Sequence, residues 1–187
     1  LDHVAKNPAV FDIKKLNWLN AHYMRQLSDE DYVAFAVPFM KEAGYMTGEE
    51  TGEKLEWLKK VILTARDQAE FGKEIPEKVA LYFTDAFDFE TPEAEAVLKE
   101  ETVPQVMGLF LEKLAAAENL DHASTKALFK AVQKETKLGG KKVFMPVRVA
   151  LTGNQHGPEL AEMIPLLGKE RTAARIRGSL AKAGVSL

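Results

Sequence analysis

Apolar residues recur at spacings of three and four along almost the whole chain, and prolines and glycines cut the pattern into helix-length segments. That period lays side chains along one stripe of a helix, whereas a half-buried strand needs strict alternation. No alternating pair of segments and no internal repeat breaks the pattern. It predicts an all-α protein, built as two helical subdomains packed end to end. Residues 12–25 set Ile13, Leu16, Leu19, Tyr23 and Met24 near one face, with Trp18 beside them. That face, Trp18 included, is expected to pack on the following helices. Ser28 reads as the N-cap of the next helix, with Asp29, Glu30 and Asp31 at its positive end, and the helix is expected to stop before Gly44. Leu55, Leu58, Ile62 and Ala65 mark a third helix expected to reach about residue 69. Pro76 opens a short fourth. Residues 85–90 read as an irregular link, closed by Thr91-Pro92-Glu93, an N-cap, a first-position proline and a first-turn acid. Further helices are expected at 102–118, 121–137, 145–152, 158–167 and 169–183, with Gly139-Gly140-Lys141-Lys142 as a mobile basic connector.

The segment from Lys142 to Leu160 carries the clearest local grammar. Pro146 has the fixed φ of a first helical position, and the apolar run Val147–Leu151 stops at Gly153. Gly157-Pro158 is expected to open the next helix, which Gly168 closes. Between them lies a polar hairpin, 152–156, flanked by Arg148 and Leu160. A guanidinium and an apolar side chain beside a tight helix–helix loop can hold an unstacked base, one reading its edge and the other packing its face. The same two residues also fit a surface arginine and a core leucine.

Little else in the chain speaks of chemistry. There is no cysteine, so thiolate catalysis, thiolate metal sites and disulfides are excluded. The four histidines, His3, His22, His122 and His156, are scattered without metal-ligand spacing. Gly139-Gly140-Lys141-Lys142 fails as a phosphate loop, because Glu135 stands where its first glycine belongs. No apolar run approaches a membrane span and no leader is seen at the start, so a cytoplasmic, monomeric protein is expected. A beginning at Leu1 rather than Met, followed by Asn7-Pro8-Ala9-Val10-Phe11-Asp12, reads as the interior of a longer polypeptide.

Charge is informative because it is segregated. Residues 1–120 hold 13 Lys/Arg against 23 Asp/Glu, net −10, and residues 121–187 hold 12 against 5, net +7. A basic third on an acidic body suggests a localised polyanion site. Lys126, Lys130, Lys134 and Lys137 recur at spacings of four and three on one helix face, and Arg171, Arg175 and Arg177 add charge further on. Such cations can track phosphates, although a solvated lysine stripe looks the same in sequence.

Several segments together resemble the C-terminal half of bacterial glutamyl-tRNA synthetases. They are Phe11-Asp-Ile-Lys-Lys-Leu-Asn-Trp-Leu-Asn20 with Tyr23, Ile75-Pro-Glu-Lys78 with Leu81-Tyr-Phe83, Phe144-Met-Pro-Val-Arg-Val-Ala-Leu-Thr-Gly153, Gly157-Pro-Glu-Leu160, and Leu166-Leu-Gly-Lys-Glu-Arg171. Their order and spacing fit across almost the whole chain. The resemblance implies the end of a stem-contact region over 1–27 and two helical anticodon-binding subdomains over 28–91 and 92–187. It implies tRNA for glutamate as partner, with no catalytic residue, metal or cofactor in this portion. ATP and Mg²⁺ would belong to the family's catalytic half, whose signature motifs this sequence lacks.

Carried over residue by residue, the family's anticodon readers fall on Arg148, Pro158 and Leu160, on Lys130 in the preceding helix, and on Gln68. Gly157 departs from members with a hydroxyl there. Lys14, Lys15, Lys126 and Lys134 would meet the RNA backbone. In members restricted to glutamate tRNA, an arginine reads the third anticodon base near the position of Gln68; a shift of two residues would place Arg66 there instead. With Gln68 as reader, tRNA for glutamine would be accepted as well. Two other readings share the sequence: a free-standing helical adaptor for RNA or protein, and a small helical enzyme with an unrecognised site.

Overall fold

The structure, a computed structural model, describes residues 12–85 and 87–187. Among these residues there are ten α-helices and no strand. The all-α expectation holds. The chain divides between Val79 and Ala80 into two compact units. The division falls earlier than the expected boundary after residue 91, because residues 81–90 are fastened to the second unit by arginine and lysine side chains described below.

The first unit contains α1 (Ile13–Gln26), α2 (Asp29–Glu42), α3 (Gly52–Leu63) and the short α4 (Ile75–Val79). Its core is Tyr32, Ala36 and Met40 from α2, Leu58, Val61 and Ile62 from α3, and Ile75 and Val79 from α4, all buried. Ser28 caps α2 as expected: its Oγ accepts the Asp31 N–H at 3.1 Å. Gly72 is buried where a Cβ would overlap the Phe39 ring, so the chain approaches α2 at a distance only glycine permits.

Two expectations for this unit fail. The third helix ends at Leu63, not near 69, and continues as tight turns in which the amides of Thr64, Ala65 and Arg66 bond three residues back. The apolar stripe of α1 is not covered among the described residues. Ile13 is 62 % exposed, Trp18 64 % and Tyr23 61 %, and α1 buries only Ala21 and Met24. Trp18 stacks on His22, ring centroids 5.6 Å apart, instead of entering the core. Periodicity reports that a helix has an apolar face; it does not report what covers it.

The second unit contains α5 (Pro92–Leu98), α6 (Val103–Ala116), α7 (His122–Thr136), α8 (Gly140–Thr152), α9 (Leu160–Leu167) and α10 (Lys169–Lys182). Thr91 caps α5 through the Ala94 amide at 3.1 Å, with Pro92 in the first turn. Asp121 and Ser124 form a reciprocal capping box on α7. The aromatic rings of Phe110, Phe129 and Phe144 pack in sequence at centroid distances of 5.2 and 4.6 Å, tying α6, α7 and α8 together. Each such pair contributes about 0.5–1.5 kcal/mol beyond its area burial.

Helix α8 starts at Gly140, so the expected basic connector is largely its first turn, and Pro146 lies inside it rather than at its start. A proline there removes the bond to the carbonyl four residues back, that of Lys142. Lys142 is exposed, so water can satisfy that oxygen. Helix α9 begins at Leu160, two residues later than expected, because Glu159 is extended and the Pro158 carbonyl is already taken by Arg148.

The turn before α3 makes the fold pH-sensitive. Glu50 accepts the backbone amides of Thr47 at 2.7 Å and Gly48 at 2.8 Å. These bonds, the Thr47 amide foremost, lower its pKa from 4.5 to about 2. A depressed folded pKa contributes stability above the unfolded value, and that stability is lost as pH falls from 4.5 towards 2. Glu50→Gln is therefore expected to lower stability at neutral pH and to flatten its acid dependence in this window, read by urea denaturation at stepped pH.

Candidate nucleic-acid interface

The loop between α8 and α9 is built from its own backbone. Gly153 ends α8 in the left-handed region, φ 75°, and its amide bonds the Val149 carbonyl at 2.8 Å. Thr152 Oγ1 donates to the Arg148 carbonyl at 2.9 Å and accepts the Asn154 amide at 3.1 Å. A hydroxyl used both ways fixes the first turn of the loop.

Arg148 is half-buried on α8. Its Nη1 donates to the Pro158 carbonyl at 2.7 Å, and the guanidinium runs beside Gly157, where a Cβ would stand 3.6 Å from Nη1. Burial pulls its pKa down, but a guanidinium stays charged. One N–H of the fork is thus spent on holding Pro158, which leaves the others for a ligand. Pro158 itself is buried and Leu160 is 3 % exposed. Neither offers a face to a base in this conformation. Of the two readings of the pair, Leu160 takes the core one, and Pro158 and Leu160 shape the loop from beneath.

On α7 the lysines share a face as expected, but they are not equivalent. Lys126 pairs with Glu159 at 3.0 Å, and that contact leads the causes that hold the Glu159 carboxyl below its usual range. Glu159 adjoins Pro158, so Lys126, Glu159, Pro158 and Arg148 form one continuous run of contacts. Lys130 lies one turn along α7 and Lys134 a further turn, both exposed and without an ion pair among the described residues. The basic surface expected from sequence therefore narrows to Lys130 and Lys134, with the exposed Lys137, Lys141 and Lys142 continuing it towards α8.

The arginines of α10 divide differently. Arg177 is exposed, whereas Arg175 is 5 % exposed and Arg171 is bonded to Asp85 and the Tyr82 carbonyl. The latter two serve the fold, and nothing in the spacing of basic residues distinguishes them from phosphate contacts. Lys14 and Lys15 are exposed on α1 in the first unit.

Gln68 is also in the first unit, in the turns after α3. Its Nε2 donates to the Thr64 carbonyl at 2.8 Å, and the side chain is half-buried, so one of the two amide groups is already engaged. Arg66 is committed elsewhere: it pairs with Asp29 at 2.7 Å, lies over the Tyr32 ring at 5.0 Å, and keeps 22 % of its side chain exposed. The buried Tyr32 hydroxyl has its pKa pushed up to about 12, chiefly by burial.

One group among the described residues has metal-ligand chemistry. His122, Glu159 and Glu162 approach within 4.8 Å, but all three are exposed and Lys126 already neutralises Glu159. The Gly139–Lys142 stretch begins a helix and forms no glycine cradle for phosphates. No described helix is long and apolar enough to cross a membrane.

Residues 31–180 match the family model described as the anticodon binding domain. The chain belongs to that family. It is 47 % identical over 180 residues to the glutamate–tRNA ligase of Desulforamulus reducens, covering 96 % of this chain and 37 % of that protein. It is 42 % identical over 177 residues to the glutamate–tRNA ligase of Bacillus subtilis, covering 95 % of this chain and 36 % of the relative. The chain thus spans little more than a third of the length of these relatives. The fold is shared with a crystal structure of a glutamate tRNA ligase from Elizabethkingia meningosepticum in complex with its amino acid, with a TM-score of 0.78, 22 % identity, and coverage of 92 % of this chain and 33 % of that one.

Proposed function

We propose that this chain reads the anticodon arm of tRNA as the C-terminal part of a glutamate–tRNA ligase. The observation that carries the reading is the family match over 31–180, which includes the exposed lysine face of α7 and the α8–α9 loop that Lys126 reaches at Glu159. In this reading Lys130 and Lys134 meet phosphates and Arg148 meets a base of the anticodon loop, while Pro158 and Leu160 hold the loop's shape. Lys126 can join the phosphate contacts only by leaving Glu159, and Lys14 and Lys15 serve the RNA backbone from the first unit. Joining glutamate to tRNA through an adenylate, with ATP and Mg²⁺, would be the work of the remainder of such a ligase, of which this chain spans little more than a third. Binding energy from the anticodon end would position the distant acceptor end.

Arg148→Ala is expected to weaken binding of glutamate tRNA by roughly 1–3 kcal/mol, the value of a good bidentate base contact. Wild-type affinity in a variant with unaltered circular dichroism defeats the assignment. Replacing Lys130 and Lys134 by Ala is expected to weaken cognate and non-cognate tRNA alike. Each loss should reduce the slope of log affinity against log salt by about one.

We infer further that Gln68 relaxes the choice of tRNA. Two features support it: the Gln68 amide spends its Nε2 donor on the Thr64 carbonyl and has its oxygen left as an acceptor, and Arg66 is engaged with Asp29 and Tyr32. An arginine offers only donors, so it favours an acceptor edge and disfavours guanine's N1–H and N2–H. An amide oxygen accepts from those guanine groups or from the cytosine N4 amine with equal ease. The full-length protein is then expected to glutamylate both glutamate and glutamine tRNA, the product on the latter being left for correction by an amidotransferase. Gln68→Arg should suppress glutamine tRNA charging at least tenfold, the equivalent of about 1.4 kcal/mol. Rejection of glutamine tRNA by the unaltered protein counts against the inference.

A further inference from the structure

Within 84–90, the described residues Thr84, Asp85 and 87–90 carry no helix, yet they are held at several points to the unit that contains the α8–α9 loop. The Arg175 guanidinium lies under this segment, 5 % exposed, and donates to the carbonyls of Leu81 and Thr84. Its Nε bonds Asp85 at 3.0 Å, and its Nη1 bonds the Leu151 carbonyl at 3.2 Å. One planar fork therefore joins the segment to the last turn of α8. Lys182 holds the segment further along, at the Phe87 carbonyl, 3.0 Å, and at Asp88.

The segment in turn touches the loop itself. The Glu90 amide donates to the Gly153 carbonyl at 3.1 Å. A Cβ at Gly153 would overlap the Asp88 carbonyl oxygen, so the two backbones meet at a distance that excludes any other residue, at a φ of 75° that also favours glycine. His156 approaches Glu90 at 3.7 Å. The carbonyls of Leu151 and Gly153, on either side of Thr152, are thus both gripped from outside the loop, and Thr152 Oγ1 carries the grip to the Arg148 carbonyl at 2.9 Å.

We propose that the 84–90 segment is a positioning brace for the α8–α9 loop, fastened by Arg175 and Lys182, and that it fixes the geometry in which Arg148 meets RNA. This rests on the reading of Arg148 as an RNA contact. Arg175 and Lys182 are positioning residues: their donors are directed at the protein's own carbonyls and carboxylates. A base contact loses its discrimination when its supporting shell loosens by about 1 Å, which is why a read-out loop needs such a brace.

The test uses the full-length protein and two variants. Gly153→Ala forces the brace and loop apart, and Lys182→Ala frees Phe87 and Asp88 without touching the loop. Amide hydrogen exchange is followed at Glu90 and Asn154, and binding is measured with an RNA hairpin carrying the glutamate anticodon and with one whose anticodon loop is permuted. Both amides are expected to exchange about tenfold faster, the scale of one lost charge-assisted hydrogen bond. The preference for the matched hairpin should fall about tenfold, with affinity for the permuted hairpin and overall helicity unchanged. Unaltered exchange in the folded variants overturns the brace. Faster exchange with undiminished preference overturns its positioning role. If the unaltered protein binds both hairpins equally, the anticodon reading has failed, and the exchange measurement alone decides whether the brace exists.

Discussion

The second unit is organised around one buried charge. Arg175 sits at 5 % exposure with its fork spread over the carbonyls of Leu81, Thr84 and Leu151 and the carboxylate of Asp85. Burial lowers its pKa and Asp85 raises it, the first effect being larger. Such a group is stable only because nearly every donor is used; a buried carbonyl stranded by its loss costs about 1–3 kcal/mol. Lysine could not replace it, since one ammonium cannot reach four acceptors spread over two chain segments. Asp85 bridges Arg175 and Arg171, and those contacts keep its carboxyl below the ordinary range, the hydrogen bond from Arg171 first. Thr84, Asp85, Phe87 and Asp88, which lie outside any helix, are held here by side chains from a helix distant in sequence.

This arrangement divides the positive charge of residues 121–187 into two populations. Arg171, Arg175, Lys182, Lys169 and Lys126 each point at a carbonyl or carboxylate of the same unit. Among the described residues, Lys130, Lys134, Lys137, Lys141, Lys142 and Arg177 remain exposed without ion pairs, and Arg148 makes only one hydrogen bond, to the Pro158 carbonyl. The first group spends its charge on the fold, and only the second projects a field that a polyanion would meet. A net charge of +7 therefore overstates the surface available to phosphates.

What could be read from the sequence follows the range of the forces involved. Caps at Ser28 and Thr91 are local, within three residues, and their expected roles match the observed bonds. Pro146 is not a start signal here, because a proline is favoured in a first turn and yet can also lie inside a helix at the cost of one backbone bond. The apolar stripe of α1 was legible and its covering was not, so Trp18 was assigned to a core that the described residues do not provide. At the candidate site, the spacing of the lysines put Lys126, Lys130 and Lys134 on one helix, as observed, while the burial of Leu160 and the bond between Arg148 and Pro158 depend on how two helices pack. Arg175 carried no signal at all: an arginine four residues from another looks like surface charge until its long-range acceptors are known.

The same distinction bears on how a surface of this kind reaches both affinity and choice. Lysines on an exposed face act as point charges on flexible stems, so their attraction to phosphates is strong, salt-dependent and nearly indifferent to sequence. Choice requires donors held at fixed angles, and Arg148 obtains this by giving one arm of its fork to Pro158 and accepting a hydroxyl from Thr152 at its own carbonyl. Each of those partners is fixed in turn, Pro158 by burial and Thr152 by the gripped carbonyls beside it. The affinity-giving cations can therefore be exchanged for one another with modest effect. On the reading proposed for Arg148, the discriminating cation cannot, because its geometry belongs to the loop, and the loop's geometry belongs to residues whose donors are spent on the protein itself.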